Sequence, residues 1–360
     1  MPHPLNLIRG VFLALGAVAF YSIWVTGAQK GLITLSRHAR ANGELSGTPD
    51  ATLLPSFTGI FALDRGIKDV VVSFWPVCNG QYPSLSLLGV TLATTTGVSY
   101  ILLALEERRK RSSLGAAWRL AWLGVLQMHL TQAAVMPIYC AFTLSFEPVT
   151  SQSPRLFRSL PWMKTCIILV YHLHVLVLTL PAPAILSYTV KQLLLAELLI
   201  WPLWMFVLFW VSSFIRPDSK RVQLERDRRA VYMLALVTTT IAHMTTLISS
   251  LLSKAPCAGC ASDLRPSNVY LPSLPWTIVE FESMVDVTAN FIQWDYLISN
   301  ITLVLWAATV YTRDCGEKVN IPRGVLQVLG LSALTSPAGA AVIVIWRLDW
   351  ILSKRRAKAD

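Results

Sequence analysis

The sequence predicts an all-α fold, a polytopic bundle of transmembrane helices, and two properties of the chain carry this prediction. The 360 residues are 54% hydrophobic and only 14% charged, with a mean hydropathy of +0.53, whereas soluble domains carry charge on roughly a quarter of their residues. The apolar residues form segments of helix length. A membrane span needs about 20 such residues, because lipid offers the backbone no hydrogen-bond partner outside its own helix. We therefore expect a chain whose solvent is a bilayer.

About eight segments meet this requirement. The predicted spans lie near residues 10–27, 85–105, 117–143, 164–188, 192–215, 230–252, 286–310 and 325–352. The first segment follows Arg9 but has no clear small-residue cleavage site, so we interpret it as a retained anchor rather than a signal peptide. Because no fixed-period repeat or low-complexity linker divides the chain, we expect one domain over residues 1–360.

The formal charge of +11 does not indicate nucleic acid, because the basic residues lie in short runs beside predicted spans. Two of these runs are residues 108–111 and 354–356. Charge that flanks a span normally sets topology and binds anionic lipid. With eight spans, these runs fall on one side and the basic loop at 216–229 falls on the other, which leaves the orientation open.

Two connections are too long for simple turns. The first covers about residues 28–84 and contains an amphipathic or re-entrant segment near 57–76, which we expect to lie at the membrane interface or to cover the bundle. The second, about residues 253–285, contains four prolines that exclude a long regular helix. It also holds Cys257 and Cys260, which we expect as a disulfide or free thiols, because a zinc site needs four ligands.

Ionisable groups at membrane depth are costly, so they are the first candidates for function. The polar residues that would share one face of a helix leading into the seventh span are Glu282, Asp286, Asn290 and Gln293. Asp295 points roughly the opposite way on an ideal helix. The alternative interpretation is that Glu282 and Asp286 are solvated carboxylates at the start of the helix, where its dipole favours them.

Other candidates are a buried amide and several aromatic rings. Gln132 lies in the third span, where it can also serve as an interhelical hydrogen-bonding residue. The aromatic residues near the candidate acids are Trp75, Trp276, Trp294 and Tyr296. Their π-faces can stabilise a cation, although Trp and Tyr also collect at membrane interfaces regardless of activity.

Signatures of several other enzyme classes are absent from the sequence. It contains no D-D-x-x-D or paired N-x-x-x-D-x-x-x-D motif for magnesium and diphosphate, no P-loop, no G-x-G-x-x-G and no H-E-x-x-H. With only six histidines, a histidine-rich di-iron oxygenase is not expected. We therefore predict carboxyl acid–base chemistry, with no metal and no cofactor.

Three stretches of the chain carry a family resemblance. They are residues 57–76 with the following Gly80, Pro83 and Ser84, residues 132–140, and Phe291-Ile292-Gln293-Trp294-Asp295-Tyr296. In these stretches the sequence resembles the fungal integral-membrane terpene cyclases of meroterpenoid and indole-diterpenoid pathways. It is most similar in length to the longer forms, like those of the ascochlorin and ascofuranone routes.

The resemblance implies a membrane-bound cyclase that acts on a farnesyl or geranylgeranyl chain attached to an aromatic or indole head group. Such an enzyme protonates the terminal epoxide, or sometimes an alkene, and guides the cyclisation of the carbocation. A neutral carboxylic acid must deliver the proton, and burial in an apolar site favours the neutral form of a carboxyl group. Aromatic faces then stabilise the positive charge while water is excluded.

On this resemblance we expect Asp295 or Asp286 to donate the proton, with Gln293 or Asn290 orienting it. Asp64 is the best candidate acid outside that helix, and Glu282 is expected to tune the pKa of the donor as a neighbouring carboxyl. The other predicted substrate-binding residues are Trp75, Trp276, Trp294, Tyr296, Gln132 and Tyr139.

The expected partners are a lipophilic epoxyprenyl substrate and the lipid bilayer. We expect a multi-pass protein of the endoplasmic reticulum, with a prenyltransferase and an epoxidase of the same pathway as neighbours. The alternatives are a multi-span transporter or receptor and a non-catalytic membrane scaffold subunit. Transporters often contain inverted repeats with matching interrupted helices, and the sequence shows no such pairing.

Overall fold

The computed structural model describes residues 4–109, 113–144, 173–180, 182–214, 221–252, 264–278, 280–315 and 321–357. The regular elements in these ranges are all helices, and the β contact found there is an isolated bridge between Glu44 and Thr52. The all-α prediction is therefore confirmed for the described part of the chain. Most of the predicted span at 164–188, together with Cys257 and Cys260, lies outside the described residues.

The described ranges contain thirteen α-helices, numbered here in chain order. They are α1 (Pro4–Phe20), which continues through a π-helical turn (Tyr21–Val25) into α2 (Thr26–Gln29), α3 (Leu32–Asn42), α4 (Phe61–Cys78), α5 (Pro83–Arg109), α6 (Ser113–Leu130), α7 (Gln132–Thr143), α8 (Tyr188–Phe214), α9 (Arg221–Leu252), α10 (Pro266–Tyr270), α11 (Met284–Cys315), α12 (Ile321–Thr335) and α13 (Pro337–Ala357). Residues 173–179 are also helical.

Three helical stretches among the described residues are long and apolar enough to cross a membrane. They are Leu5–Gln29, Pro83–Glu106 and Arg228–Leu252, and they coincide with the first, second and sixth predicted spans. This agrees with a membrane protein, whereas the total of about eight spans stays a prediction.

The segment predicted as one helix over residues 117–143 forms two helices, α6 and α7, which meet at Thr131. Thr131 has φ 76° and ψ 154°, a backbone conformation that β-branched residues rarely adopt. Its side-chain oxygen accepts a hydrogen bond from the N–H of Ala134 at 3.2 Å and so caps α7. Pro137 follows inside α7. Proline has no N–H to donate to the carbonyl oxygen of Ala133, and its ring clashes with that carbonyl group. The cap and the proline together explain why the helix is interrupted.

A second predicted helix, over residues 325–352, is also interrupted, at Ser336. Ser336 has φ 84°, and its hydroxyl oxygen accepts a hydrogen bond from the N–H of Gly339 at 2.9 Å. Pro337 then begins α13, at the position where a missing N–H costs nothing and a fixed φ suits the helix. The chain therefore turns between α12 and α13, which pack against each other.

The amphipathic segment predicted near residues 57–76 forms α4, which covers the bundle. Its buried face includes Val71, Val72 and Trp75, whereas Leu63, which the pattern placed on the apolar side, is largely exposed. The helix packs against α3, α5, α8 and α11. One wall of the interior is therefore built from the first long connection.

Helix α11 lies at the centre of the described structure, in contact with α4, α5, α7 and α13. Helix α7 is held between α11 and α1, and at Gly16 of α1 an added Cβ would lie 3.2 Å from the carbonyl oxygen of Ala134. A side chain at that position would require its neighbours in α7 to shift by a few tenths of an ångström. Helix α7, which begins at the α6–α7 break, therefore packs closely against α1.

Candidate active site

A largely apolar cavity lies between α4, α5, α8, α11 and the α6–α7 break, with about 970 Å³ of empty space counted out to its mouth. The polar side chains in its lining are Thr96, Gln127, Thr131, Gln132, Thr179 and Asp295. Among the residues that the structure describes, no Lys, Arg or His lines this cavity. We call it the acid cavity.

Asp295 supplies the carboxyl group of the acid cavity and is only 6% exposed. Its Oδ1 accepts a hydrogen bond from the backbone N–H of Ala133 at 2.6 Å and another from the hydroxyl of Ser299 at 3.2 Å. Ala133 is the second residue of α7, so the carboxyl group lies at the N-terminus of that helix. The unpaired N–H groups and the dipole of a helix N-terminus favour negative charge there.

Gln132, the first residue of α7, connects this helix end to α5. Its Nε2 donates to the hydroxyl oxygen of Ser99 at 2.8 Å, and its Oε1 accepts from the hydroxyl of Thr96 at 2.5 Å. All three side chains are buried. Because both ends of the amide are bonded to α5, Gln132 fixes the N-terminus of α7 in front of Asp295.

Two phenylalanines place aromatic faces in the same cavity. Phe74 of α4 and Phe291 of α11 both line it, with their ring centroids 5.6 Å apart in an edge-to-face arrangement. Both residues lie in the stretches that carry the family resemblance. The aromatic residues predicted from the same stretches were Trp75 and Trp294, and neither of those side chains lines the cavity.

Asp286 and Glu282 lie away from the acid cavity. Helix α11 begins at Met284, so Glu282 precedes the helix and does not share its face. The Oδ2 atom of Asp286 accepts hydrogen bonds from the backbone N–H of Ser283 at 3.0 Å and from its hydroxyl at 2.9 Å. This reciprocal arrangement closes the first turn of the helix. Both carboxylates are exposed.

Three other predicted residues of α11 hold neighbouring segments in place. Asn290 donates to the carbonyl oxygen of Ser22 at 3.3 Å, in the π-helical turn where the α-helical bond pattern is interrupted. Gln293 donates to the carbonyl oxygen of Asn268 at 2.6 Å. Tyr296 packs against Tyr270, with ring centroids 5.6 Å apart. None of the three lines the acid cavity, and the last two contacts fasten the second long connection to α11.

Two of the three predicted tryptophans hold the long connections in place, and the third is exposed. Trp294 donates from its indole N–H to the carbonyl oxygen of Ser273 at 3.2 Å. Trp75 donates to the hydroxyl oxygen of Thr48 at 3.0 Å. Trp276, by contrast, is 77% exposed.

Asp64 and Tyr139 also lie outside the acid cavity. Asp64 accepts hydrogen bonds from the hydroxyl of Ser56 at 2.6 Å and from the backbone N–H and hydroxyl of Thr58 at 2.7 and 2.8 Å. These donors, the Ser56 hydroxyl first, hold the pKa of the Asp64 carboxyl well below its usual range, although burial acts in the opposite direction. Tyr139 is half-buried in α7 and packs against the central apolar core.

Of the predicted site residues, Asp295 and Gln132 are thus brought together in one cavity. The break at Thr131, which makes the N–H of Ala133 available, and the second donor, Ser299, were not predicted from the sequence. Pro137 was the available signal, because a proline inside an apolar span predicts an interruption near the preceding turn.

The CtvD domain family matches residues 8–353, which is nearly the whole chain. The chain belongs to the CtvD-domain family. The terpene cyclase sdgD of Emericella nidulans is 42% identical over 99% of this chain and 98% of its own length. The terpene cyclase verU1 of Penicillium polonicum is 33% identical over 96% and 95%. The terpene cyclase ascI of Acremonium egyptiacum is 26% identical over 82% and 80%.

These relatives confirm the resemblance that the three sequence stretches carried. No solved structure matches the chain. Membership of the CtvD-domain family, together with fungal relatives named terpene cyclases, supports a cyclase enzyme of secondary metabolism.

Proposed function

We propose that this CtvD-domain protein is a multi-pass terpene cyclase of the endoplasmic reticulum in which Asp295 protonates the substrate. The substrate class is a prenyl chain with a terminal epoxide, or sometimes an alkene, attached to an aromatic or indole head group. The observation that carries the proposal is the position of the Asp295 carboxyl group, at a helix N-terminus inside an apolar cavity without a cationic partner among the described residues.

The surroundings of Asp295 suit a proton donor before and after the transfer. Its Oδ1 accepts hydrogen bonds from two uncharged donors, the N–H of Ala133 and the hydroxyl of Ser299. Because these bonds occupy Oδ1, the proton of the neutral acid is carried by Oδ2. An apolar lining is an environment in which a carboxyl group can remain neutral. After the transfer, the N–H of Ala133 and the dipole of α7 stabilise the carboxylate that remains.

The reaction follows from that first step. The proton goes to the epoxide oxygen, the bond between that oxygen and the more substituted carbon breaks, and the electron pair stays on oxygen as a hydroxyl. A double bond of the prenyl chain attacks the cationic carbon, forming a ring and passing the charge along the chain. Loss of a proton to a base ends the sequence, so product and substrate are isomers. The rings of Phe74 and Phe291 offer π-faces to the moving charge.

The test compares two variants in microsomes, or in purified protein in liposomes, at matched expression. Wild-type protein should convert an epoxyfarnesyl-aromatic or epoxygeranylgeranyl-indole compound into a cyclic isomer of unchanged mass. Asp295→Asn should lower the rate about 10²–10⁴-fold, the usual contribution of a general acid. The control is Asp50→Asn, which changes an exposed loop carboxylate and should act at the wild-type rate.

Full activity of Asp295→Asn would show that another group donates the proton, and Asp286→Asn and Asp64→Asn would then identify which one. The absence of any cyclic product from wild-type protein with every epoxyprenyl substrate would favour the transporter or scaffold alternatives instead.

A further inference from the structure

A second cavity adjoins the acid cavity and differs from it in charge. It lies between the α1–α2 region, α3, α4 and α11, with about 1,010 Å³ of empty space counted out to its mouth. We call it the arginine cavity, because Arg37, Arg40 and Arg65 line it together with His129. Asp69 is the carboxylate in its lining.

The two cavities have walls in common. Val70 and Phe74 of α4, Met128 of α6 and Phe291 of α11 line both of them. At this junction the ring of Phe291 packs edge-to-face with the rings of both Phe74 and Trp24, with the Trp24 and Phe291 centroids 5.7 Å apart. The two cavities therefore adjoin at these side chains, and a ligand that filled both would have to pass beside them.

The carboxylate of the arginine cavity is already engaged. Asp69 accepts a hydrogen bond from the hydroxyl of Ser36 at 2.9 Å and forms an ion pair with Arg40, which joins α3 to α4. The side chains of Arg37 and Arg65 have no hydrogen bond or ion pair with another residue in the described part of the chain. Both residues are exposed, so their guanidinium groups are solvated and accessible to a ligand that supplies oxygen acceptors.

We propose that the arginine cavity is the head-group subsite of the cyclase, in which Arg37 and Arg65 bind the acidic or oxygen-bearing substituents of the substrate's aromatic head. The inference rests on the proposed function and extends it by assigning an orientation. The guanidinium group presents a planar fork of donors that suits carboxylate and phenolate oxygens. The chemical class of the head is therefore a ring with free hydroxyl, carbonyl or carboxyl groups.

The contrast between the cavities excludes the reverse orientation. With the head in the acid cavity, its polar groups would lose water among mostly apolar walls, which costs free energy unless each group finds a hydrogen bond. The prenyl tip would then lie beside Arg37 and Arg65, in the cavity that Asp295 does not line. With the head at the arginines, the chain passes Phe74 and Phe291, and its terminal epoxide reaches the acid.

The experiment uses two substrates with the same epoxyprenyl chain. One carries a head with free phenolic hydroxyl and carboxyl groups, and the other carries the same head as methyl ethers and a methyl ester. Arg65→Gln and Arg37→Gln are compared with Arg229→Gln, which changes an exposed arginine of α9 outside both cavities. Rates are measured with full-length protein in neutral and in anionic liposomes.

We expect Arg65→Gln to raise KM for the free-head substrate roughly 10-fold while kcat changes less than about twofold, because a charge-assisted bond to the bound head is lost. Arg37→Gln should act in the same direction. Neither variant should change KM for the methylated substrate more than about twofold, and Arg229→Gln should resemble wild type with both. Equal effects on the two substrates, or no effect on either, would overturn the proposal.

A lipid phosphate could provide the same acceptor chemistry, and the liposomes separate the two sources. If the effect of Arg65→Gln appears with both substrates and only in anionic liposomes, the arginines bind lipid and the head-group assignment is wrong.

Equilibrium binding of both compounds to Asp295→Asn protein keeps this test separate from that of the proposed function. Loss of the preference for the free head in the Asp295→Asn/Arg65→Gln double variant supports the subsite even if wild-type protein forms no cyclic product. Cyclisation by wild-type protein without any such preference overturns the subsite and leaves the proposed function intact.

Discussion

Helix α11 carries buried carboxyl chemistry at two places, and the partners of the carboxyl groups differ. Near its C-terminal end, Arg313 donates to Glu106 of α5 at 2.9 Å and to its neighbour Asp314 at 2.6 Å, with the side chains of Arg313 and Glu106 each 4% exposed. Asp295, roughly 27 Å along the same helix, accepts bonds from a backbone N–H and a hydroxyl. We call the first group the ion-pair cluster.

The comparison shows that burial alone does not decide the role of a carboxyl group. In the ion-pair cluster a cation compensates the buried negative charge, and the group ties α11 to α5. At Asp295 neutral donors orient the carboxyl group inside a largely apolar cavity. The ion-pair cluster therefore has a structural role, whereas the proposed role of Asp295 is chemical.

The largest expected effect on stability comes from breaking the ion-pair cluster. Arg313→Gln removes the cation that the buried carboxyl groups of Glu106 and Asp314 share, so we expect the free energy of unfolding to fall by about 3–5 kcal/mol. Thermal unfolding in detergent measures the change. Asp295→Asn is the contrasting variant and should stay within about 1 kcal/mol of wild type, because an amide oxygen still accepts the N–H of Ala133 and no ion pair is lost.

The opposite stability result would contradict the distinction between Asp295 and the ion-pair cluster. If Asp295→Asn destabilised the protein as strongly as Arg313→Gln, Asp295 would be a structural carboxylate like those of the ion-pair cluster. The proposed role as proton donor would then lose its support from the structure.

A smaller effect is expected at Thr131, where the helix end in front of Asp295 is formed. A positive φ costs about 1–3 kcal/mol in a residue with a side chain, and Thr131→Gly removes that cost while keeping the backbone conformation. The same substitution loses only a few tenths of a kcal/mol of helix capping. Thr131→Ala keeps the backbone cost and loses the cap, so it should lower stability by about 0.5–2 kcal/mol. Thermal unfolding of the two variants should rank Gly above Ala. The opposite rank would mean that the φ of Thr131 is not strained.

Part of this arrangement follows from the sequence. The apolar segments and the acids around residues 282–295 identified α11 as the helix to examine, and the family stretches included both Gln132 and Asp295. The choice between Asp295 and Asp286 required the helix boundary at Met284, which a Ser283–Asp286 capping pair creates. A capping pair of that kind was readable in advance.

The joint site was not readable from the sequence, because it depends on an interruption in a uniformly apolar segment. Residues 117–143 have the composition of one continuous helix, and Pro137 indicates an interruption in this segment without placing it at Thr131. Tertiary packing of α7 against α1 at Gly16 and against α11 stabilises a backbone conformation at Thr131 that local propensity disfavours. Only with that break does the N–H of Ala133 meet the carboxyl group of Asp295.

The protonation state of Asp295 with a ligand in the cavity decides whether this carboxyl group can act as the acid. Infrared difference spectra of wild-type and Asp295→Asn protein should be recorded with a bound prenyl-aromatic analogue whose chain is saturated and carries no epoxide. We predict a carbonyl-stretch band of a protonated carboxylic acid that is present in wild type and absent from Asp295→Asn. A difference confined to the carboxylate bands would show that Asp295 is ionised with the cavity filled, which would contradict its role as the acid.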